Sequence, residues 1–223
     1  MRRLQRPLLR CGIFASALFC ATDVLAGTMR PGYNFATQSM SVLSAPGAPT
    51  RLLVLPLDLA ANLLVVAFGI GVWRSAGQKR SLRAIGGLLV ATAVLQSVAV
   101  AFFPFRPAQP TSTIANKMNV ALMAPSIAGW FLAVALAAVP FRNWFRFCSI
   151  GLLGAWLVED VLATAGASLF ISAGHPGSMV GIQERSMAYG VYAWLILLAL
   201  VQLRAGQTHR SDVTGLRAAI AGR

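Results

Sequence analysis

Charged residues are scarce in this chain of 223 residues. They make up 11% of the sequence, against about 25% in a typical soluble domain, and only six of them are acidic. Hydrophobic residues reach 57%, and the mean hydropathy is +0.69. This composition argues against a protein whose main solvent is water and predicts a membrane protein without a separate soluble enzyme domain.

Residues and motifs that carry common chemistries are also few. The three cysteines form no CxxC pair, and an odd number gives no disulfide framework. Two histidines and the lack of HExxH argue against a metal site, and no glycine pattern typical of nucleotide binding is present. The net charge of +13 comes from Lys and Arg residues that lie mostly between alternate apolar stretches. They form no basic face with interleaved aromatic residues. We therefore expect no metal, no cofactor and no nucleic-acid partner.

Six apolar stretches fill nearly the whole chain. Each meets or approaches the roughly 20 residues that a hydrocarbon core of about 30 Å requires. Gly86, Gly151 and Gly154 predict close packing between these helices. We predict an all-α protein with one six-helix transmembrane domain over residues 1–205 and a basic cytoplasmic tail over 206–223. The predicted spans are about 8–27, 52–73, 82–103, 118–139, 147–173 and 186–204.

Basic residues set the predicted orientation. With the N-terminus inside, the inner segments hold 14 of the 19 Lys and Arg residues. The positive-inside rule then places both termini in the cytoplasm and the protein in the inner membrane. Residues 1–26 also have the layout of a cleavable signal peptide. Because Asp23 precedes the cleavage point and the apolar run is long enough to span, we favour a retained first span.

Four acidic residues lie inside the predicted spans, namely Asp23, Asp58, Glu159 and Asp160. A carboxylate at the centre of a bilayer costs about 2.5–3.5 kcal/mol, so it persists only where it faces protein or water. At a rise of 1.5 Å per helical residue, Asp23 and Glu159 each lie about 20 Å beyond an inner arginine, and Asp58 about 10 Å below Arg51. The spacing predicts one polar site in the outer half of the membrane.

Helical spacing extends this predicted site to further polar residues. Asp58 and Asn62 share one face of the second span, because residues i and i+4 lie on the same side of a helix. Glu159 and Asp160 point about 100° apart, so we expect only one of them to face the site. The predicted ligand-binding residues, capped by the outer loop 31–44, are Asp23, Tyr33, Ser41, Asp58, Gln96, Asn119, Glu159, Asp160 and Arg185.

Three roles fit such a site. The favoured role is non-enzymatic, the binding or movement of a lipid-like or small cationic molecule, with membrane lipids as partners. One alternative is a lipid-modifying membrane enzyme in which His175 acts as a general base oriented by Glu159. The other is a structural subunit whose polar layer is an ion-pair network that locks helices together. The sequence leaves the ligand and the oligomeric state open.

Short motifs in the outer segments resemble those of a known family. The first outer loop reads Arg30-Pro31-Gly32-Tyr33, and it continues with Gln38-Ser39-Met40-Ser41-Val42-Leu43. It resembles the Pro-Gly-Tyr and Ser-x-Leu loop of a bacterial and archaeal family, domain of unknown function 998 (DUF998). Phe103-Pro104 is similar to its Phe-Pro motif, and Gly181 to Arg185 to its Gly-x-x-x-Arg motif. The resemblance covers roughly residues 8–204 and implies a six-span membrane protein.

The chain departs from that family pattern at three places. Val42 stands where the family tends to have Glu, and Phe105 stands where an Asp tends to follow Phe-Pro. Asn116 or Asn119 stands where a His tends to begin the fourth span. If those groups do chemistry in the family, this chain lacks it. The resemblance implies a topology but no substrate or reaction.

Overall fold

The computed structural model describes residues 5–106, 109–110, 112–141, 144–172 and 179–221, with the backbone alone for residues 160, 162–172 and 206–221. This part of the chain forms six α-helices and one short 3-10 helix, Met40–Leu43, and contains no strand. The all-α prediction is confirmed. The helices are α1 (Gln5–Met29), α2 (Arg51–Ser75), α3 (Arg80–Phe102), α4 (Ile114–Ala137), α5 (Trp144–Ser172) and α6 (Val180–Ala221).

Among the described residues, five helical segments are long and apolar enough to cross a membrane. They are α1, α2, α3, α4 and the Val180–Ala205 part of α6. Large apolar side chains are exposed on these helices, and Leu52 at 90% and Ile114 at 80% are examples. Water would not tolerate so extensive an apolar surface, whereas lipid tails solvate it. The apolar helices therefore indicate a multi-pass membrane protein. The predicted span over 147–173, which corresponds to α5, stays a prediction.

Helix boundaries follow the apolar stretches except at α6. The predicted sixth span starts at 186, whereas the helix starts at Val180. Glu184 and Arg185 lie in its first turns, and both side chains have hydrogen-bond partners there. A span predicted from apolar residues alone starts after Glu184 and Arg185, because both are polar. The helix itself already includes them.

The helices form a closed ring. Successive helices pack against each other along the chain, and α6 returns to pack against α1. Fully buried side chains such as Phe68, Leu89 and Leu195 belong to one hydrophobic cluster inside the ring. Trp194 Nε1 on α6 donates to Ser149 Oγ on α5 at 3.0 Å. Every helix thus packs against a helix on either side in the ring.

Helices α2 and α3 approach each other closely at two glycines. A Cβ on Gly86 would lie 2.7 Å from the carbonyl oxygen of Gly69 and 2.7 Å from the backbone nitrogen of Trp73. The close packing predicted at Gly86 is confirmed. At Gly151 and Gly154 a Cβ would meet no described atom within 4 Å, so none of the described neighbours requires glycine there.

Candidate functional site

The loop over residues 30–50 joins α1 to α2. Three arginines hold it, one in the loop itself, one at the start of α2 and one on α6. It is also tied to α6 by a backbone hydrogen bond from Ile182 N to Ala36 O at 3.1 Å. Carbonyl groups paired in this way fix the course of a loop. Each arginine donates to a loop carbonyl: Arg30 to Val42 at 2.7 Å, Arg51 to Ser44, and Arg185 to Phe35 at 2.7 Å.

A buried ion pair joins the first helix to the last. Arg185 Nε on α6 lies 2.9 Å from Asp23 Oδ2 on α1, and Arg185 Nη2 lies 3.1 Å from Asp23 Oδ1. Tyr189 donates its hydroxyl to Asp23 Oδ2 at 2.6 Å. Asp23 is 4% exposed and Arg185 is 8% exposed. Two parallel charge-assisted bonds make this a strong and directional contact, and it is the one ion pair found among the described residues.

Tyr33 extends this contact into the loop. Arg185 Nη2 donates to the Tyr33 hydroxyl at 2.6 Å, and Tyr33 donates to the carbonyl oxygen of Ser39 at 3.0 Å. The guanidinium carbon also lies 4.8 Å from the centre of the Phe35 ring. Burial raises the pKa of the Tyr33 hydroxyl above its usual value, although donation from Arg185 opposes that shift. The phenol therefore stays protonated and keeps its bond to the loop.

Glu184 holds the 3-10 helix of the loop. Its Oε2 accepts a hydrogen bond from Met40 N at 2.7 Å and another from the Ser39 hydroxyl. Ser39 Oγ in turn lies 2.7 Å from Ser41 Oγ. A carboxylate at the amino end of a helical turn is favourable because the free backbone N–H groups point at it. The first turns of α6 thus position the loop residues that reach the ring interior.

A cavity of about 260 Å³ lies inside the helix ring, and all six helices and loop residues 40–44 contribute to its wall. Most of its described lining residues are apolar, and none is Lys, Arg or His. The polar lining residues are Thr22, Asp23, Ser41, Ser44, Asp58, Asn62, Gln96, Asn119 and Glu184.

Asp58 differs from Asp23 because it has no partner among the described residues. No described residue donates a hydrogen bond to it or forms an ion pair with it, and the same holds for Gln96. One turn further along α2, Asn62 is 6% exposed and its Oδ1 also lacks a donor. Buried polar atoms in native proteins nearly always have a partner, so Asn62 Oδ1 needs an explanation, and half-buried Asp58 beside it is an acceptor in the same position.

Aromatic rings form much of the remaining cavity wall. Phe19 and Tyr192 are stacked with their ring centres 4.1 Å apart, and Phe131 and Trp156 meet edge to face at 4.8 Å. The buried Nε1 of Trp156 has no hydrogen-bond acceptor among the described residues. The wall therefore combines a large apolar surface with a few polar atoms that have no partner, as ligand pockets do.

Most of the predicted site residues come together. Asp23, Ser41, Asp58, Gln96 and Asn119 line the cavity, and the predicted Tyr33 and Arg185 lie beside Asp23. Glu159 does not line it.

Glu159 instead accepts a hydrogen bond from Ser186 Oγ at 2.7 Å. The side chain of Asp160 and the whole of His175 lie outside the described residues. The predicted pairing of an acid with His175 therefore stays a prediction.

Three of the site residues that were not predicted are Tyr189, Glu184 and Trp156. Tyr189, which binds Asp23, lies four positions after Arg185 and thus on the same helix face, a signal that could have identified it. Glu184 directly precedes Arg185, but no sequence rule assigns it to the loop. Nothing in the sequence distinguishes Trp156 from the other tryptophans.

Two departures from the resembled family pattern meet at the cavity. Phe105 and Asn119 both line it, and Asn119 Nδ2 donates to the carbonyl oxygen of Phe103 at 2.8 Å. Asn116 is buried elsewhere, where its Oδ1 accepts from the backbone nitrogen of Arg106 at 2.9 Å. Of the two asparagines, Asn119 is the one placed to contact a ligand.

The described residues include no group of three His, Cys, Asp or Glu side chains that could hold a metal ion. The cavity can instead accept hydrogen bonds at Asp58 and Asn62 and surround an apolar body with aromatic rings.

Comparison with protein families identifies a match over most of the chain. The family model described as protein of unknown function (DUF998) matches residues 13–201, a range that contains the loop and every described lining residue of the cavity. No curated protein and no solved structure matches the chain.

Proposed function

The chain belongs to the DUF998 family, whose function is unknown, and from this premise we propose that its cavity binds or moves a small amphiphilic molecule. The protein would be a non-enzymatic, six-span protein of the inner membrane with both termini in the cytoplasm. The excess of Lys and Arg in alternate segments supports this orientation.

The single observation that carries the proposal is the unpaired carboxylate of Asp58. It lines a largely apolar cavity and has no partner among the described residues. An ionisable group inside a membrane protein is costly, and it usually marks a ligand or ion pathway. A bound polar group would supply the partner that none of the described residues provides.

The dimensions of the cavity agree with this role. Its volume of about 260 Å³ is close to the lower end of small-molecule pockets, which span roughly 300–1,000 Å³. Aromatic side chains such as Phe131 and Trp156 suit the apolar part of a lipid-like molecule. The cavity thus offers both ends of an amphiphile a matching surface.

The alternative interpretation, an ion-pair network that locks helices together, applies to Asp23 and not to Asp58. Asp23 has Arg185 and Tyr189 as partners, and these contacts join α1 to α6 without a ligand. We therefore assign helix locking to Asp23 and ligand binding to Asp58. An enzymatic role has less support, because Phe105 and Asn119 line the cavity where the resembled pattern has ionisable groups.

Mass spectrometry of lipids and small molecules retained by the purified protein tests the proposal. We expect a species that is enriched on the wild type and reduced at least about tenfold on Asp58→Asn, the loss expected for a charge-assisted hydrogen bond. Asp212→Asn, the same chemical change in the predicted tail, is the matched control and should retain the species. Equal retention by both variants, or no retained species on the wild type, would contradict the proposal.

A further inference from the structure

We propose that the ligand carries an ammonium group with N–H donors, a protonated primary or secondary amine on an apolar chain, held by Asp58 and Asn62. This inference rests on the proposed function, because it names the chemical class of the molecule in that same cavity. Three independent features of the wall support it, namely its charge, its unpaired acceptors and its aromatic rings.

The charge of the cavity favours a cation. Its described wall contains three carboxylates and no Lys, Arg or His. Arg185 neutralises Asp23, but Glu184 accepts only from the neutral Ser39 hydroxyl and a backbone N–H, and Asp58 accepts from nothing described. A buried charge is expensive unless it is paired, so an anionic headgroup would add to the cost whereas a cation would remove it.

The unpaired acceptors favour a cation that has N–H groups. Asp58 and Asn62 are i and i+4 on α2, so their side chains are neighbours on one helix face. Asn62 Oδ1 is buried and lacks a donor. An alkylammonium group has several N–H donors and can serve both residues at once, as a lysine ammonium does with its three. A quaternary ammonium has none and would leave Asn62 Oδ1 unpaired.

The aromatic wall suits both parts of such a molecule. Phe19 and Tyr192 form a stacked pair at 4.1 Å, and Trp130, Phe131 and Trp156 also line the cavity. The faces of aromatic rings attract cations and pack well against alkyl chains. The aromatic surface by itself would accept primary and quaternary ammonium groups alike. Only the acceptors of α2 discriminate between them.

Calorimetric titration of the purified protein in an uncharged detergent tests this inference. The probes are octylamine, octyltrimethylammonium and octanol, which share one chain and differ in the head. At pH 7 we expect octylamine to bind at least about tenfold more tightly than either of the others, since a charge-assisted hydrogen bond is worth about that much. In Asp58→Asn the preference for octylamine should disappear.

The outcomes separate the two proposals. Equal binding of octylamine and octyltrimethylammonium would overturn the N–H donor inference and leave amphiphile binding intact. Octanol binding as tightly as octylamine would overturn the cationic class. No binding of any probe would contradict the proposed function as well. Asn62→Leu removes an acceptor that has no partner among the described residues. It should reduce the preference for octylamine over octyltrimethylammonium, and an unchanged preference would count against the role of Asn62.

Discussion

At the scale of single residues, two carboxylates that line the same cavity differ in their hydrogen-bond partners. Asp23 accepts from Arg185 and Tyr189, whereas Asp58 accepts from no described group. Removing one partner of a buried ion pair leaves an uncompensated charge and typically costs about 3–5 kcal/mol. We expect Asp23→Asn to lose about that much stability.

The matched substitution Asp58→Asn breaks no hydrogen bond or ion pair among the described residues, so it should leave stability unchanged or slightly higher. Unfolding of both variants in the same detergent, followed by tryptophan fluorescence, measures the difference. If the two substitutions shifted the unfolding midpoint equally, the division of roles between these residues would be wrong.

Tyr33, which lies in the loop outside the membrane-spanning helices, gives the stability of the protein a pH dependence. Its pKa in the folded protein is raised by burial above the value of about 10 that it has in an unfolded chain. A raised pKa means that the contribution of neutral Tyr33 is complete below about pH 10 and is lost as the pH rises through the folded value. We expect the wild type to lose more stability than Tyr33→Phe between pH 8 and pH 11. Thermal unfolding of both proteins at each pH measures the difference. If both lost the same stability across this range, the assignment of the pH dependence to Tyr33 would be wrong.

The rise per residue predicts how far along its helix axis a polar residue lies, but not the direction in which its side chain points. Asp23 and Glu159 are placed at the same depth, yet the first lines the cavity and the second binds Ser186 away from it. Rise per residue fixes only the position along a helix axis, whereas rotation about that axis depends on which neighbour each helix packs against. The i and i+4 pair Asp58 and Asn62 was predictable, because both members share one helix and rotate together.

At the scale of helices, the contact between α2 and α3 depends on the absence of side chains. A Cβ on Gly86 would lie 2.7 Å from backbone atoms of α2, which cannot move aside as a flexible side chain would. We expect Gly86→Ala to separate the helices and to cost about 1–3 kcal/mol, the usual range for overpacking.

Gly151→Ala on α5 is the control for this effect. The added methyl group meets no described atom within 4 Å, and alanine favours a helix over glycine by about 1 kcal/mol. We therefore expect this variant to be as stable as the wild type or more so in a detergent unfolding assay. A loss at Gly151 equal to that at Gly86 would show that the contact between α2 and α3 does not account for the cost at Gly86.

At the scale of the whole molecule, the order of the helices around the ring could not be read from the chain. The apolar stretches predicted how many helices there are and roughly where each lies. The return of α6 to α1 depends on Asp23 meeting Arg185, and a single sequence contains no measure of distance between such remote residues. The membership of the DUF998 family, which the loop motifs predicted, is confirmed. The resemblance predicted no contact between helices.

The proposed orientation can be tested at two exposed turns. Thr37 lies in the loop between α1 and α2, and Gln78 in the turn between α2 and α3, so the two belong to opposite ends of the ring. In a background without Cys11, Cys20 and Cys148, we expect Thr37→Cys to react with an impermeant maleimide on intact cells. Gln78→Cys should react only after the inner membrane is opened. The reverse pattern would place both termini outside.

The pairing of Asp23 with Arg185 also imposes an order on biosynthesis. The two residues are 162 positions apart, so at about 5–20 residues per second the acid is made about 8–30 s before its partner. During that interval the first helix carries a carboxylate that lipid disfavours. Assembly therefore cannot be completed until the last helix has been inserted, and a nascent chain released before α6 would present an unpaired acidic helix to cellular quality control.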